Sequence, residues 1–553
     1  MRDPHRTEHV ISLVEHSSST PSDALTEHRP PPSRSPLRRW APWAPGLMAL
    51  LVGLWGIRRQ GTLWGDEAVT YAMAHRDVPQ IRHTLSHIDA VHGLYYLLMR
   101  GVFILWDGGL VALRLPSVLA VAAAAVGIVR IGQRLGATRA GLLAGAVFPL
   151  LPPVQRYAQE GRSYALVCAL VTWASWLLVS NLSRPRRRGW VAYGAVILTA
   201  CLLHELAVLI VLAHGVTVFR TRRERPERRT WSVAAGGVLA GLLPLAAFST
   251  TQSEQVDWIG PPDAGAVLGF VVTALLGIAF ARVPRPSHGA RLATSARFSH
   301  GAPVATGARL SRGPVPLSEL ALPLLILPPA LLMLTSPLHP LYVDRYVLAS
   351  AIGFALLTGS MLDRLGRSAR SAGTVRRVTW AVALAAVLLA LVPVSIALRK
   401  PESRENDAVA IARTVRKVAE PGDGLLFTPI RRRVWTLARP DDFRALTDLA
   451  LERTPVESGT LSGRELPPDR IRERMLADER IVVVRDLAGR PLETDAREVV
   501  KRATLDEFFE ECTDRTVTQA RITVFARPGH CRTAPPRPAP GHGPGPHRPG
   551  TAR

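Results

Sequence analysis

Asp66 and Glu67 stand side by side in "LWGDEAVTYAMAHRD" (63–77), just past an apolar run. A carboxylate at a membrane edge could act as a general base. The same "GDEA" is good helix N-cap chemistry, and the two readings are compatible. A second cluster, "QRYAQEGRSYAL" (155–166), sets Glu160 between Arg156 and Arg162. Arginines snorkelling at an interface would give the same pattern. "LLHELAV" (202–208) holds His204 and Glu205 between two apolar runs, where a tight turn explains them equally well. "LHPLYVDRYVLAS" (338–350) carries His339, Asp344 and Arg345. A guanidinium there could grip a phosphate bidentately; a snorkelling Arg beside an interfacial Tyr is the plainer alternative.

The elements that must position these groups are membrane helices. Apolar stretches recur with few internal charges at 41–57, 114–131, 140–157, 164–180, 190–203, 206–219, 231–248, 264–281, 317–335, 346–362 and 378–398. Runs of this kind predict about eleven bilayer-spanning helices, the shortest of them marginal in length. The formal net charge is +24. In a soluble chain that would suggest nucleic acid, but here the arginines lie between apolar runs, so no nucleic-acid partner is expected. Basic clusters at 130–139, 184–188, 220–229, 282–316 and 364–377 fall in every second loop. The positive-inside rule then puts the amino terminus and these loops in the cytoplasm and all four acid or base clusters on one exterior face. Segment 58–113 becomes an exterior loop, and its apolar stretch 92–106 is too short to cross.

Composition divides the chain further. Residues 1–40 read as a disordered cytoplasmic tail, 41–398 as the membrane module, 399–532 as a small exterior α/β domain and 533–553 as a disordered Pro/Gly tail. Within the α/β part, 405–419 has helical spacing, while 420–429, 478–486 and 520–528 read as strands. Cys512 and Cys531, 19 residues apart and flanking the last strand, are expected to form a disulfide, which an exterior location permits. Cys168 and Cys201 fall in apolar runs and read as core packing.

Taken together, the motifs resemble those of the GT-C-type membrane glycosyltransferases, in particular the bacterial family-39-like and aminoarabinose-transferase-like proteins. "WGDEA" (64–68) resembles the acidic motif after their first span. "HGLYYLL" (92–98) resembles a His-Pro-Pro-Leu-Tyr-Tyr stretch, with Gly93 departing from it. "ALRLPSVLA" (112–120), "RYAQEGRSY" (156–164) and "DRYVLAS" (344–350) follow in the family's order. The resemblance covers about 41–360. It implies a GT-C-like fold with interfacial helices at 68–87 and 92–106. It also implies a polyprenyl-phosphate sugar donor, with Asp66 as base, Glu67 as its neighbour, Glu160 as the second-loop acid and Arg345 on the donor phosphate.

The expectation is therefore a plasma-membrane glycosyltransferase. It would move a sugar to a hydroxyl of a glycan, lipid or protein acceptor by direct displacement. Asp66, Glu67 and Glu160 would be catalytic; His92, Arg156, Arg162, His204, Glu205 and Arg345 would bind substrate. The carboxylates at 66, 67 and 160 could hold a divalent cation, but no spacing demands one. The alternatives are a transporter or flippase for a lipid-linked glycan, with ionisable groups near the midplane of its helices, and a membrane-anchored scaffold for which Asp66 is dispensable.

Overall fold

In the computed structural model, residues 40–222, 225–252, 259–283, 315–370 and 373–531 are described. The expectations placed on 1–39, on 284–314 within the long basic loop, and on 532–553 lie outside them.

Every apolar stretch becomes a helix, because a chain in hydrocarbon must satisfy its own backbone hydrogen bonds. After α1 (Ala44–Leu54) come α2 (Gly65–His75), α3 (Val78–Leu85) and α4 (Gly93–Leu105). The bundle continues with α5 (Leu110–Arg134), α6 (Thr138–Val147), α7 (Pro152–Ala158), α8 (Tyr164–Ser183), α9 (Arg187–Leu203), α10 (Leu209–Thr221) and α11 (Arg225–Ser249). It closes with α12 (Ala264–Arg282), α13 (Leu317–Thr335), α14 (Ser350–Arg370) and α15 (Thr374–Ala397). Among the described residues, six helices are long and apolar enough to cross a bilayer: Leu110–Arg134, Tyr164–Ser183, Pro226–Gln252, Ala264–Arg282, Leu317–Thr335 and Thr374–Ala397. The other five expected spans, α1, α6, α9, α10 and α14, are helices that fall short by length or by apolarity.

Small residues let these helices meet closely, as in other membrane bundles. A Cβ at Gly132 of α5 would stand 2.4 Å from the Gly141 Cα of α6, so the two backbones touch there. Gly359 of α14 packs against α6 in the same way, its Cβ position 2.4 Å from Ala140 O.

The segment between α1 and α5 holds three helices, not the two expected. The stretch expected as one helix over 68–87 breaks at Arg76. Asp77 there opens α3 with a capping box, its carboxylate accepting from Gln80 N at 2.7 Å and Gln80 Oε1 accepting from Asp77 N at 3.0 Å.

Beyond Ala397 the chain forms a five-stranded sheet ordered β2-β1-β5-β7-β6. Its strands are β1 (Gly424–Thr428), β2 (Thr447–Asp448), β5 (Arg480–Arg485), β6 (Glu510–Val517) and β7 (Ala520–Ala526). Short strands β3 (Leu451–Arg453) and β4 (Arg464–Glu465) pair separately. β1 runs parallel to β2 and β5, and β7 antiparallel to β5 and β6. Alternate residues serve opposite faces. Leu425, Phe427, Val482, Val484 and Ile522 pack under α16 (Ala408–Val418). Leu426, Ile481, Val483 and Phe525 pack under α17 (Pro468–Ala477) and α18 (Ala496–Phe508). Cys512 and Cys531 are joined by a disulfide, with Cα atoms 5.3 Å apart.

The sheet portion does not stand apart from the helices. Val409 lies in one core with Leu63, Ala68, Met73, Tyr95 and Leu113, and Val434, Leu437 and Leu461 pack against it.

Candidate active site

Asp66 lies in the first turn of α2, not at its cap. Trp64 occupies the cap position in an extended conformation and makes no side-chain cap bond. The Gly65 N–H instead donates to Asn406 Oδ1 at 2.8 Å. The positive end of the helix dipole favours a carboxylate at position 66. The Asp66 side chain is 34 % exposed, and Arg162 Nε stands 4.0 Å from its Oδ2.

Glu67 points the other way. Arg114 donates to both its oxygens, from Nε and Nη2, each at 2.7 Å. Arg59 Nη2 reaches the same two oxygens at 3.2 and 3.1 Å, and the Gly161 N–H donates at 3.0 Å. Burial by itself would raise this carboxyl's pKa; the Arg114 and Arg59 charges and the donated hydrogen bonds hold it at about 2. Glu67, expected beside Asp66 as a catalytic residue, is thus a fully buried carboxylate that takes five hydrogen bonds from four donor atoms.

Glu160 sits in the loop between α7 and α8 and is buried. Arg404 Nε stands 3.6 Å from its Oε2, and Oε1 makes no protein hydrogen bond. Burial, together with the Glu67 and Asp66 charges, raises its pKa to about 7 against the pull of Arg404 and Arg345.

The remaining groups gather around Arg162. Its Nη2 donates to His92 Nε2 at 2.7 Å and its Nη1 to Tyr96 Oη at 3.4 Å. Tyr96 in turn donates to Asp89. The His92 ring lies 6.4 Å from that of His204, which lies 4.6 Å from Tyr346 and 5.6 Å from Tyr164. The Arg345 guanidinium lies 5.6–5.9 Å from the rings of Trp64, Tyr164 and Tyr346, within cation–π reach. Burial, with the neighbouring His92, Arg162 and Arg345, pushes His204 down to about 3, so its imidazole is neutral. His204, Arg345, Tyr346 and Tyr164 line one small pocket.

Two other expected residues are employed differently. Glu205 accepts from Ser249 Oγ at 2.9 Å, because the turn after His204 swings it toward the end of α11. Arg156 lies over the Tyr157 ring, and its backbone carbonyl accepts from Arg404 Nη2 at 2.7 Å. Asp344 accepts from Tyr157 Oη at 2.7 Å. Among the described residues, no group of three or more His, Cys, Asp or Glu is arranged to hold a metal ion. Arg59, Arg114 and Arg404 were not among the expected site residues. Arg114 had a signal, being a charge inside an apolar run; the other two had none.

The fold is similar to that of solved GT-C-type proteins, as the motifs led one to expect. The crystal structure of ArnT from Cupriavidus metallidurans in the apo state is similar with a TM-score of 0.51 at 13 % identity, over 87 % of this chain and 97 % of that one. ArnT bound to undecaprenyl phosphate gives 0.47 at 12 % identity, over 86 % and 96 %. The archaeal oligosaccharyltransferase AglB from Archaeoglobus fulgidus, in complex with an inhibitory peptide and a dolichol-phosphate, gives 0.42 at 11 %, over 82 % and 70 %. The family described as dolichyl-phosphate-mannose-protein mannosyltransferase matches residues 94–250, which include Glu160, Arg162 and His204 but not Asp66 or Arg345. No curated protein sequence matches the chain.

Proposed function

We propose that this protein is a membrane glycosyltransferase. It moves a sugar from a polyprenyl-phosphate-linked donor to an acceptor hydroxyl on the exterior face by direct displacement. One observation carries the reading: four charge clusters far apart in sequence meet at one place, with a partly open carboxylate, Asp66, beside Arg162 and in the same cluster as Arg345. Asp66 takes the acceptor's proton as its oxygen attacks the anomeric carbon. The bond from that carbon to phosphate breaks, and Arg345 and Arg162 stabilise the departing lipid phosphate. The matched family's description, which names a dolichyl-phosphate sugar, supports a donor of this class. On this reading 41–398 is the membrane module, 399–532 the exterior domain, and the amino terminus is cytoplasmic.

The test is to incubate purified protein with a panel of radiolabelled polyprenyl-phosphate sugars. Transfer or hydrolysis by the wild type, lost in Asp66→Asn, is the expected result. Release of no sugar from any donor would favour the flippase or scaffold alternatives.

A further inference from the structure

The segment that joins the helices to the sheet enters the site. Arg404 is buried, with Nη2 on Arg156 O at 2.7 Å and Nε 3.6 Å from Glu160 Oε2. Two residues on, Asn406 accepts from the first N–H of α2 at 2.8 Å. Asp407 accepts from Leu63 N at 3.3 Å, and Ala408 N donates to Leu63 O at 2.8 Å. Five contacts, from residues 404, 406, 407 and 408, thus tie this segment to the start of α2 and to the 156–160 stretch.

We infer that Arg404 and Asn406 are positioning residues of the active site, Arg404 holding the Glu160 side chain and Asn406 the start of the Asp66 helix. The inference rests on the glycosyl-transfer reading only for its effect on activity; the geometry stands without it. A buried carboxylate needs a partner to stay charged. Glu160 has Arg404 as its nearest cation, and its second oxygen makes no protein hydrogen bond. The other charged or titratable groups facing it are Asp66 and Glu67 of α2, Arg59 before α2, Tyr95 of α4, Tyr157 of α7 and Arg345. Asn406 replaces the cap that Trp64 cannot supply.

The test follows Glu160 itself. The protonated-carboxyl infrared band that disappears in Glu160→Gln is titrated in the wild type, in Arg404→Gln and in Arg404→Lys. Loss of a facing cation should move its midpoint up by about 1–3 pH units, and the lysine should bring it most of the way back. This arm needs no donor, so it decides the inference even if no sugar is ever transferred. In transfer assays, Asn406→Asp should retain activity that Asn406→Leu loses, through kcat more than KM. Thermal melting identifies any variant that fails to fold, and Arg404→Met then takes the place of Arg404→Gln. An infrared midpoint that Arg404→Gln leaves in place, in folded protein, would overturn the role of Arg404. Full kcat in Asn406→Leu would overturn that of Asn406.

Discussion

Arg114 clasps Glu67 by two parallel hydrogen bonds of 2.7 Å, and neither side chain reaches solvent. The same arginine donates to Ile57 O and Thr62 O, each at 2.7 Å. One guanidinium therefore fastens the turn after α1 and the start of α2 to the first bilayer-length helix. Arg59 adds the loop between α7 and α8, through Gln159 O at 3.0 Å.

Glu67→Gln should consequently unsettle the fold instead of the chemistry. It leaves two buried guanidiniums without their anion, a change that costs about 3–5 kcal/mol. Melting of the detergent-solubilised protein should register it. The pH dependence has a definite sign. With its folded pKa depressed to about 2, Glu67 contributes stability above the ordinary carboxylate range, and that stability is lost as pH falls through that range toward 2. Unfolding followed from pH 6 downward should show this loss in the wild type and not in Glu67→Gln.

Asp66→Asn should fold normally, since position 66 caps nothing and its side chain is partly open. Transfer should drop by roughly 10²–10⁴-fold, the usual weight of a general base. A fully active asparagine variant would remove the base assignment.

Arg345→Lys keeps the charge but loses the planar face set among Trp64, Tyr164 and Tyr346. Affinity for polyprenyl phosphate should weaken by roughly ten-fold, about the worth of a desolvated cation–π contact. Quenching of Trp64 fluorescence on titration with the lipid phosphate can measure it, with Trp64→Phe as the control. Equal affinity in the lysine variant would place the phosphate elsewhere.

Sidedness is testable without activity. Single cysteines in 184–188 should resist impermeant reagents in intact cells, and cysteines at exposed positions of 399–530 should react. Labelling of 184–188 from outside would reverse the assignment of the site to the exterior.

Much of this arrangement was legible in the sequence. Alternating basic loops assigned the Asp66, Glu160, His204 and Arg345 clusters to one face, and the structure brings members of all four together. The role of Glu67 was not legible, because charge type is visible in sequence but burial and partner are not; its two arginines lie 8 and 47 residues away. Arg404 looked like one more linker arginine. β6 escaped for a different reason. It is an edge strand of largely exposed polar residues, "EECTDRTV", with no alternation to read. The break at Arg76 could have been read from Asp77 and Gln80, three apart, with Pro79 between them.

The bonds from Asn406 and Asp407 to the start of α2 span 341 and 344 residues. A ribosome therefore delivers Asp66 long before it delivers the residues that steady it. At roughly 5–20 residues per second, that interval is about 20–70 seconds of synthesis, during which the nascent helix end goes without its partner. The start of α2 thus waits on a distant segment: it gains these partners only when 406–408 have been made and have folded back on it.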